Sequence, residues 1–401
     1  MRFEGITLGV PREIMEHEYR VSAIPETVAA FVAEGARVLV ENGAGAGSHH
    51  ADDDYRRVGA EILPDSDAVF ERADIILKVK EPQFDPHRNR HEVSMMRQGQ
   101  TLVAFLHPAS PANHQMVRDL AAQGVVSFTL DGVPRITNAQ PMDALTSMST
   151  IAGYKSVIMA ANELGCFMPL TNTAVGMLSP AKVFVVGAGV AGLQALATAK
   201  RLGASNFATD IRPEAVEQAR SLRAQIVETG VPAEIATGKG GYAKDLPPEW
   251  LKREQEAIRD IVTQSDIVIL SALVPGHIAP VIVSEEMVRG MQTGSVIVDI
   301  AIDQGGNCAL TEAGKTVVKH GVTILGVKNI PGYMPRSASW LFSHNLFHFL
   351  SYLVEDGHVR AEREDEIIGP TLVTLNGEVV HEGALEAMAL CAERKGATSC
   401  A

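Results

Sequence analysis

The sequence has little cysteine and few aromatic residues. Its four cysteines form no CxxC pair and no spacing typical of zinc ligands; they are Cys166, Cys308, Cys391 and Cys400. This usage excludes a disulfide-stapled scaffold and is typical of a protein from a reducing, cytoplasmic compartment. We therefore expect no metal site. A chain of 401 residues is long enough for two or three domains with sizeable cores.

Positive charge and long hydrophobic runs are also scarce. The chain has 35 lysines and arginines against 48 aspartates and glutamates, which gives a formal net charge of −13. A chain this acidic is not expected to bind nucleic acid or an anionic membrane surface. The longest nearly uncharged stretch, 183–199, is short for a membrane span, and the first residues lack the apolar segment of a signal peptide. A function at a membrane would therefore need another chain to supply the span.

Within the stretch 183–195 a short apolar run breaks into Gly187-x-Gly189-x-x-Gly192, and a helical pattern follows. Strand, glycine turn and helix in this order are typical of a dinucleotide site. Gly187 permits the tight turn, Gly189 lets a pyrophosphate approach the backbone, and Gly192 lets the helix pack on the strand. The phosphates would lie on the N–H groups at the helix N-terminus.

The choice of cofactor depends on two side chains that follow the next apolar strand, Asp210 and Arg212. Asp210 follows Gly192 by 18 residues, where an acid can accept the ribose hydroxyls and repel a 2′-phosphate. The sequence therefore predicts NAD(H) rather than NADP(H). Arg212 complicates this prediction, because a nearby arginine can accommodate a 2′-phosphate. Leu273, after a later strand, is predicted to border the cofactor, although an ordinary loop explains its position equally well.

Apolar runs alternate with helical patterns along most of the chain, which predicts an α/β fold with parallel, doubly wound sheets. The expected strands are 6–10, 37–40, 74–79, 101–106, 125–130, 183–186, 206–209, 266–271, 295–300 and 322–325. Asn376-Gly377 predicts a hairpin within 367–380. The glycine-rich residues 43–47 lack the full fingerprint and are expected to form only a turn. The charged stretch 237–260, with Gly240-Gly241-Tyr242, is interpreted as a mobile excursion from the nucleotide domain.

Ionisable residues follow several of these strands, where ligands bind in open α/β sheets. They are Arg20, Lys78, Lys80, His107, Asp299 and Asp303. An arginine can clamp a carboxylate, a lysine can polarise a carbonyl, and a histidine can pass a proton. Taken singly, each fits a surface or capping position. As a set they favour reduction of a 2-oxo acid or its imine by NADH.

A second polar group lies in residues 135–143, just before a long predicted helix. It contains Arg135, Gln140 and Asp143. Asp143 also fits the helix N-cap, so an ordinary capping role remains open.

These residues together resemble one family, which joins alanine dehydrogenase to the NAD(H)-binding component of proton-translocating nicotinamide nucleotide transhydrogenase. The transhydrogenase branch is matched by Pro134-Arg135-Ile136, Met142-Asp143-Ala144-Leu145, residues 189–203 and 240–244, and Gly305-Gly306-Asn307-Cys308. The resemblance implies two Rossmann-like domains with a cleft between them, linked by two long helices, 143–164 and 339–353, and it implies a dimer. The expected domains are 1–142 plus 331–401, on the substrate side, and 143–330, which binds NAD(H).

By this resemblance, Arg135, Gln140 and Asp143 sit at the nicotinamide, and Tyr242 closes over the nucleotide. Membrane-embedded and NADP(H)-binding chains would then be partners, with peripheral attachment at the inner membrane.

Other motifs look like alanine dehydrogenase instead: Leu77-Lys78-Val79-Lys80-Glu81-Pro82, Phe105-Leu106-His107 and Asp299-Ile300-Ala301-Ile302-Asp303. In that branch Arg20 and Lys80 would bind a 2-oxo acid, His107 would be the acid/base and Asp303 would assist. We favour the transhydrogenase component and keep an amino-acid dehydrogenase, acting on a small amino acid, as the alternative.

Overall fold

A computed structural model describes residues 1–238, 243–274 and 278–398. The chain forms two compact units: Met1–Met148 with Gly332–Ala401, and Ser149–Pro331. The predicted α/β class with two parallel-sheet domains is confirmed. No helix in the described ranges is long and apolar enough to cross a membrane.

The first part of the chain alternates short strands with helices. Its strands are β1 (Thr7–Val10), β2 (Arg37–Glu41), β3 (Glu61–Leu63), β4 (Ile75–Leu77), β5 (Phe84–Asp85), β6 (Arg90–His91), β7 (Thr101–Ala104) and β8 (Val126–Thr129). Its helices are α1 (Pro25–Ala33), α2 (Asp52–Arg57), α3 (Ser66–Arg72), α4 (His114–Ala122) and α5 (Ala144–Glu163).

The middle of the chain repeats this alternation. Its strands are β9 (Thr171–Thr173), β10 (Gly176–Leu178), β11 (Lys182–Val186), β12 (Ser205–Thr209), β13 (Gln225–Ile226), β14 (Ile267–Leu270), β15 (Val296–Asp299), β16 (Thr316–Lys319) and β17 (Val322–Leu325). Its helices are α6 (Val190–Arg201), α7 (Pro213–Ser221), α8 (Ala233–Ala236), α9 (Pro248–Gln264) and α10 (Glu285–Gly290).

The last part returns to the first unit with one long helix and a hairpin. Its strands are β18 (Val354–Glu355), β19 (His358–Val359), β20 (Leu372–Leu375) and β21 (Glu378–Val379). Its helices are α11 (Pro335–Leu353), α12 (Ile368–Thr371) and α13 (Glu382–Thr398). Asn376 and Gly377 between β20 and β21 both have positive φ, as a tight hairpin turn requires.

The main sheet of the first unit has the order β21-β20-β8-β7-β4-β1-β2-β3. The strands β3, β2, β1, β4, β7 and β8 are neighbours in this order and pair in parallel. The C-terminal hairpin adds β20 antiparallel to β8. The strand order reverses between β1 and β4, so both leave the sheet beside the same crevice. In such sheets, ligands bind at this switch point.

The second unit has the order β13-β12-β11-β14-β15-β17-β16. Its pairings are parallel except for β16, which lies antiparallel at the edge. The strand order reverses between β11 and β14. The second sheet has an apolar cluster on each face. Val183, Val185 and Ile269 pack into one cluster, and Phe184 and Val268 pack into the other.

The mobile excursion expected over 237–260 is wrong from Pro248 onward. From Pro248 the chain belongs to α9, whose Ile258 and Val262 are fully buried against the second sheet. Ile258 and Val262 are four residues apart, as expected for one face of a helix, but charged residues surround them in the sequence, so the helix was not recognised. Residues 239–242, which include Tyr242, lie outside the described residues. Residues 43–47 form a turn, as expected, and the turn continues into a short 3-10 helix from Ala46 to Ser48.

Candidate functional site

The glycine turn after β11 lies at the switch point of the second sheet. Gly187 has a φ of +88°, and a Cβ there would lie 2.9 Å from the Ala272 backbone nitrogen. A Cβ on Gly192 would overlap the carbonyl oxygen of Gly187. These two glycines are therefore required by the packing of the turn itself.

Gly189 differs from its two neighbours because the space beside it is open. A Cβ there would meet only the Arg212 guanidinium, at 3.9 Å. Gly189 also precedes the first residue of α6, with no side chain capping that helix end. Open backbone next to free N–H groups at a helix N-terminus fits a pyrophosphate. The residues present thus fit a dinucleotide.

Asp210 follows β12 and is tied to the same turn. Its carboxylate accepts the backbone N–H of Ala188 at 2.8 Å. It also accepts the Arg212 backbone N–H and guanidinium, at 2.8–3.0 Å. Burial alone would lower the pKa of Arg212, but the hydrogen bond and charge of Asp210 raise it overall. Asp210 and Arg212 therefore hold each other beside the glycine turn.

Glu254 is an acid that the sequence reasoning missed. It lies on the buried face of α9, one turn before Ile258, and only 5% of it is exposed. Burial and the charge of Asp210 raise the pKa of Glu254 to about 7. Because the sequence around it is charged, it was placed in the mobile excursion expected at 237–260. Glu254 precedes Ile258 by four residues and Val262 by eight, and this helical spacing was the signal that it lies on the buried face of α9.

Asp299 ends β15 and is structural. Its buried carboxylate accepts the backbone N–H groups of Asn307 and Cys308 and the Thr311 hydroxyl, at 2.9–3.1 Å. Burial raises the pKa of Asp299, and these hydrogen bonds offset part of that rise. Asp303, in contrast, is exposed on a short 3-10 turn, and among the described residues it accepts one long bond of 3.4 Å, from the Asn329 N–H.

Asn307 fixes the loop that carries Leu273. Its side-chain amide accepts from the Ala272 N–H at 3.0 Å and donates to the Ala272 and Pro280 carbonyl oxygens at 2.8–2.9 Å. Leu273, next to Ala272, is 37% exposed. The loop after β14 is therefore pinned at the switch point while one apolar side chain faces solvent.

In the first unit, two lysines after β4 have opposite surroundings. Lys78 is completely buried, and its ammonium contacts the carboxylates of Glu13 and Glu92 at 3.2 and 3.0 Å. Burial raises the pKa of Glu13 to about 7, although Lys78 opposes that rise. Lys80 is partly exposed and forms no ion pair with any described residue. Lys78 is thus structural, and Lys80 is available to a ligand.

His107, just after β7, is held by Asp131. Its Nδ1 lies 3.3 Å from the Asp131 carboxylate, which also accepts the His107 backbone N–H at 2.8 Å. His107 has a φ of +45°, and its ring stacks on Phe105. Burial lowers the pKa of His107, but the charge and hydrogen bond of Asp131 outweigh burial and raise it. The positive charge of Lys80 opposes that rise.

Arg20 is buried against Glu18. Its guanidinium donates to both carboxylate oxygens, with 2.7 Å from Nε to Oε1, and a third nitrogen lies 3.0 Å from the Met148 sulfur. The sequence reasoning placed Arg20 as a clamp for a substrate carboxylate. In the structure, a carboxylate of the same chain occupies that fork.

The polar loop before α5 is exposed at Arg135 and Gln140. Asp143 is the N-cap of α5, because its carboxylate accepts the backbone N–H and the hydroxyl of Thr146 at 2.8 and 2.7 Å. Asn345 on α11 holds the loop through the Pro141 carbonyl oxygen, at 2.8 Å. Capping fixes the Asp143 carboxylate at the end of this loop.

Comparison with known proteins identifies the family. Residues 9–152 match "Alanine dehydrogenase/PNT, N-terminal domain", and residues 156–382 match "Alanine dehydrogenase/PNT, C-terminal domain". An NAD(P) transhydrogenase alpha-subunit chain of Rhodospirillum rubrum is 40% identical over 377 residues, 93% of this chain and 97% of that protein. The alanine dehydrogenase of Methanococcus maripaludis is 32% identical, over 95% of this chain and 96% of that protein.

Solved structures agree with these matches. The transhydrogenase structure from Sinorhizobium meliloti superposes with a TM-score of 0.79 at 37% identity, and covers 94% of this chain and 99% of that one. The two family regions together span nearly all of the described chain. This chain therefore belongs to the alanine dehydrogenase/PNT family.

Proposed function

We propose that this chain is the NAD(H)-binding component of a proton-translocating NAD(P) transhydrogenase. The observation that carries the proposal is the match to the Rhodospirillum rubrum subunit along almost the full length of both chains. The open backbone at Gly189 and the acid Asp210 support NAD(H) at this chain. On either candidate function the chain is an NAD(H)-dependent oxidoreductase.

The residues of this chain would hold and orient the cofactor. Gly189 and the N-terminus of α6 would take the pyrophosphate, and Asp210 the adenosine ribose. Arg135, Gln140 and Asp143 would orient the nicotinamide, and Tyr242 would cover it. Bound NADH supplies a hydride to the acceptor. Since direct transfer between two nicotinamides changes no protonation state, orientation is the main task of these residues.

The proposal implies partner chains. An NADP(H)-binding chain would present the acceptor, and a membrane-embedded chain would couple the reaction to proton movement. In this assembly the chain would work on the cytoplasmic side, attached to the inner membrane through those partners.

We also propose a homodimer, supported by apolar side chains on the β9–β10 hairpin and just before it. The exposed residues are Phe167 (56%), Leu170 (50%), Val175 (98%), Met177 (65%) and Leu178 (48%). Exposed apolar patches of this kind mark association surfaces. Val175→Asp with Met177→Asp should turn a dimer into a monomer in analytical ultracentrifugation. A monomeric unmutated protein would contradict the proposal.

The test of the main proposal is reconstitution. Purified chain, NADH and an NADP⁺-loaded partner component should give NADPH, and Gln140→Ala should reduce the rate. The control is Gln115→Ala, an exposed glutamine on α4. No transfer with a partner that is active with a known transhydrogenase component would overturn the proposal.

A second candidate is an NAD-dependent amino-acid dehydrogenase, favoured by the arrangement of Lys80, His107 and Asp131. Lys80 would polarise the carbonyl of a 2-oxo acid, and His107 would exchange a proton with it. Asp131 would hold the imidazole, and Asp303 would assist. The test is ammonia-dependent oxidation of NADH by the purified chain alone with a panel of 2-oxo acids, including pyruvate.

A further inference from the structure

The first unit contains a cavity that neither candidate function uses. It measures about 660 Å³ and is bordered by the start of α1, by α2 and by the first turns of α11. This volume is within the range of sites that bind small molecules. Its walls include Trp340, Arg336 and His50.

Both acidic residues at the cavity have partners within the first unit. Glu26 accepts the Trp340 indole N–H at 3.1 Å and lies 3.5 Å from His344 Nε2. Asp54 lies 2.8 Å from Arg57 Nη1 and also accepts the backbone N–H of Ala51. Asp54 is therefore paired with a cation, and Glu26 is held by the Trp340 indole.

Arg336 is the cation at this cavity that has no ion pair with a described residue. It is exposed and forms no ion pair or side-chain hydrogen bond with any residue in the described ranges. It lines the same cavity as His50. Burial lowers the pKa of His50, Asp54 opposes this, and Arg336 lowers it further. His50 is consequently a neutral donor or acceptor beside a guanidinium near pH 7.

Trp340 supplies a flat apolar wall one helical turn from Arg336. Residues four apart share one face of a helix, and Trp340 is 47% exposed. Its hydrogen bond to Glu26 and its contact with the His344 ring, with centroids 4.2 Å apart, hold the indole in place. A held aromatic ring next to a guanidinium that has no ion pair with a described residue is suited to a planar anion, since the ring stacks and the fork binds an oxyanion.

We propose that this cavity binds a small planar molecule carrying a carboxylate or phosphate, with the anion on Arg336 and the planar group against Trp340. Neutral His50 supplies a further hydrogen bond. The site is built entirely from the first unit and uses none of the residues assigned to NAD(H) or to a 2-oxo acid.

The test uses tryptophan fluorescence. The chain has two tryptophans, so Trp250→Phe leaves Trp340 as the only reporter. Benzoate, 1-naphthoate and phenyl phosphate are titrated as planar anions, with benzamidine and benzyl alcohol as a cation and a neutral molecule of the same shape. At least one anion should quench Trp340 with saturation, at least ten-fold more tightly than benzamidine. If no anion saturates, or benzamidine binds as tightly, the proposal is wrong.

A variant series assigns the binding. Arg336→Ala should weaken the anion at least ten-fold, and Arg336→Lys should weaken it less, because lysine keeps the charge but loses the fork. Arg118→Ala is the matched control, an exposed arginine on α4 without an ion pair to a described residue. NADH affinity should be the same in all of them. An Arg336→Ala protein that melts like the parent and binds the anion within two-fold of it would overturn the proposal.

Discussion

The Asp131 carboxylate binds His107 twice, through the backbone N–H at 2.8 Å and the ring Nδ1 at 3.3 Å. The Thr129 hydroxyl donates to the same oxygen at 2.8 Å, and its own oxygen accepts the Leu106 N–H. These contacts hold an imidazole with positive φ at the end of β7. They also make the charge of Asp131 the main reason for the raised pKa of His107.

Removing this charge should lower the pKa of His107. In Asp131→Asn the neutral amide cannot offset burial, which lowers the pKa when acting alone. Titration of the His107 ring by NMR should therefore give a lower pKa in the variant than in the parent. The signal of the His107 ring is the one absent from His107→Ala, and the exposed His87 serves as a reference whose pKa should not change. An unchanged or higher pKa would show that Asp131 does not control this ring.

The same pair makes stability depend on pH. The pKa of His107 is raised above 6.5, so its contribution is complete below pH 6.5 and is lost as pH rises through the folded value. The pKa of Asp131 is lowered from 3.8, so its contribution is complete above pH 3.8 and is lost on acidification. Urea unfolding should show a larger loss for Asp131→Asn at pH 5.5 than at pH 9. The opposite order would contradict this sign.

The glycine turn allows packing and ligand approach to be separated. Gly192→Ala should destabilise the protein by about 1–3 kcal/mol, because its Cβ would overlap the Gly187 carbonyl oxygen. Gly189→Ala should melt like the parent, since its φ of −74° suits alanine and the space is open. It should still bind NADH at least ten-fold more weakly. Calorimetry and thermal melting distinguish the two, and normal NADH affinity in Gly189→Ala would exclude the pyrophosphate from this turn.

Asp210 should decide the choice of cofactor. Asp210→Ala removes the ribose acceptor and releases Arg212, so NADH should weaken by roughly 5–150-fold, the equivalent of about 1–3 kcal/mol. NADPH should weaken less, because a released arginine can meet the 2′-phosphate. Glu217→Ala, exposed on α7, is the control. Equal affinity of the unmutated protein for NADH and NADPH would refute the role of Asp210.

Glu254 should make the second unit less stable as pH rises. Its pKa is about 7 in the folded protein, against an ordinary value of 4.5, so the folded state binds more protons than the unfolded state between these values and stability falls there. Glu254→Gln should therefore stabilise the protein by about 1–3 kcal/mol at pH 8 and by much less at pH 5. A variant less stable than the parent at pH 8 would indicate a bound cation or partner at Glu254.

These residues also show how far sequence reasoning reaches. Ten of the strands, the glycine turn and both long helices follow from local periodicity and from glycine chemistry, which act over a few neighbouring residues. Short or edge strands such as β3, β13 and β16 were not predicted, because their apolar patterns are too brief or too exposed to stand out. The difference between Lys78 and Lys80 does not, because it depends on Glu13 and Glu92, which are distant in sequence. The partner of His107 was missed for the same reason, since Asp131 lies 24 residues away. The partner of Arg20 is only two residues away, but the sequence does not show that the Arg20 guanidinium folds back onto Glu18.

His107 finally separates the two candidate functions. For a dehydrogenase, His107→Ala should reduce ammonia-dependent NADH oxidation with a 2-oxo acid by roughly 10²–10⁴-fold, the usual contribution of a general acid/base. NADH affinity should stay nearly normal, because the second unit's turn and Asp210 carry it. For a transhydrogenase component the same change should barely alter transfer to NADP⁺, while Arg135→Ala and Gln140→Ala should slow it. His87→Ala is the control in both assays. Robust turnover of a 2-oxo acid by the purified chain, abolished by His107→Ala, would reject the transhydrogenase proposal, because direct transfer between nicotinamides leaves no proton for His107 to move.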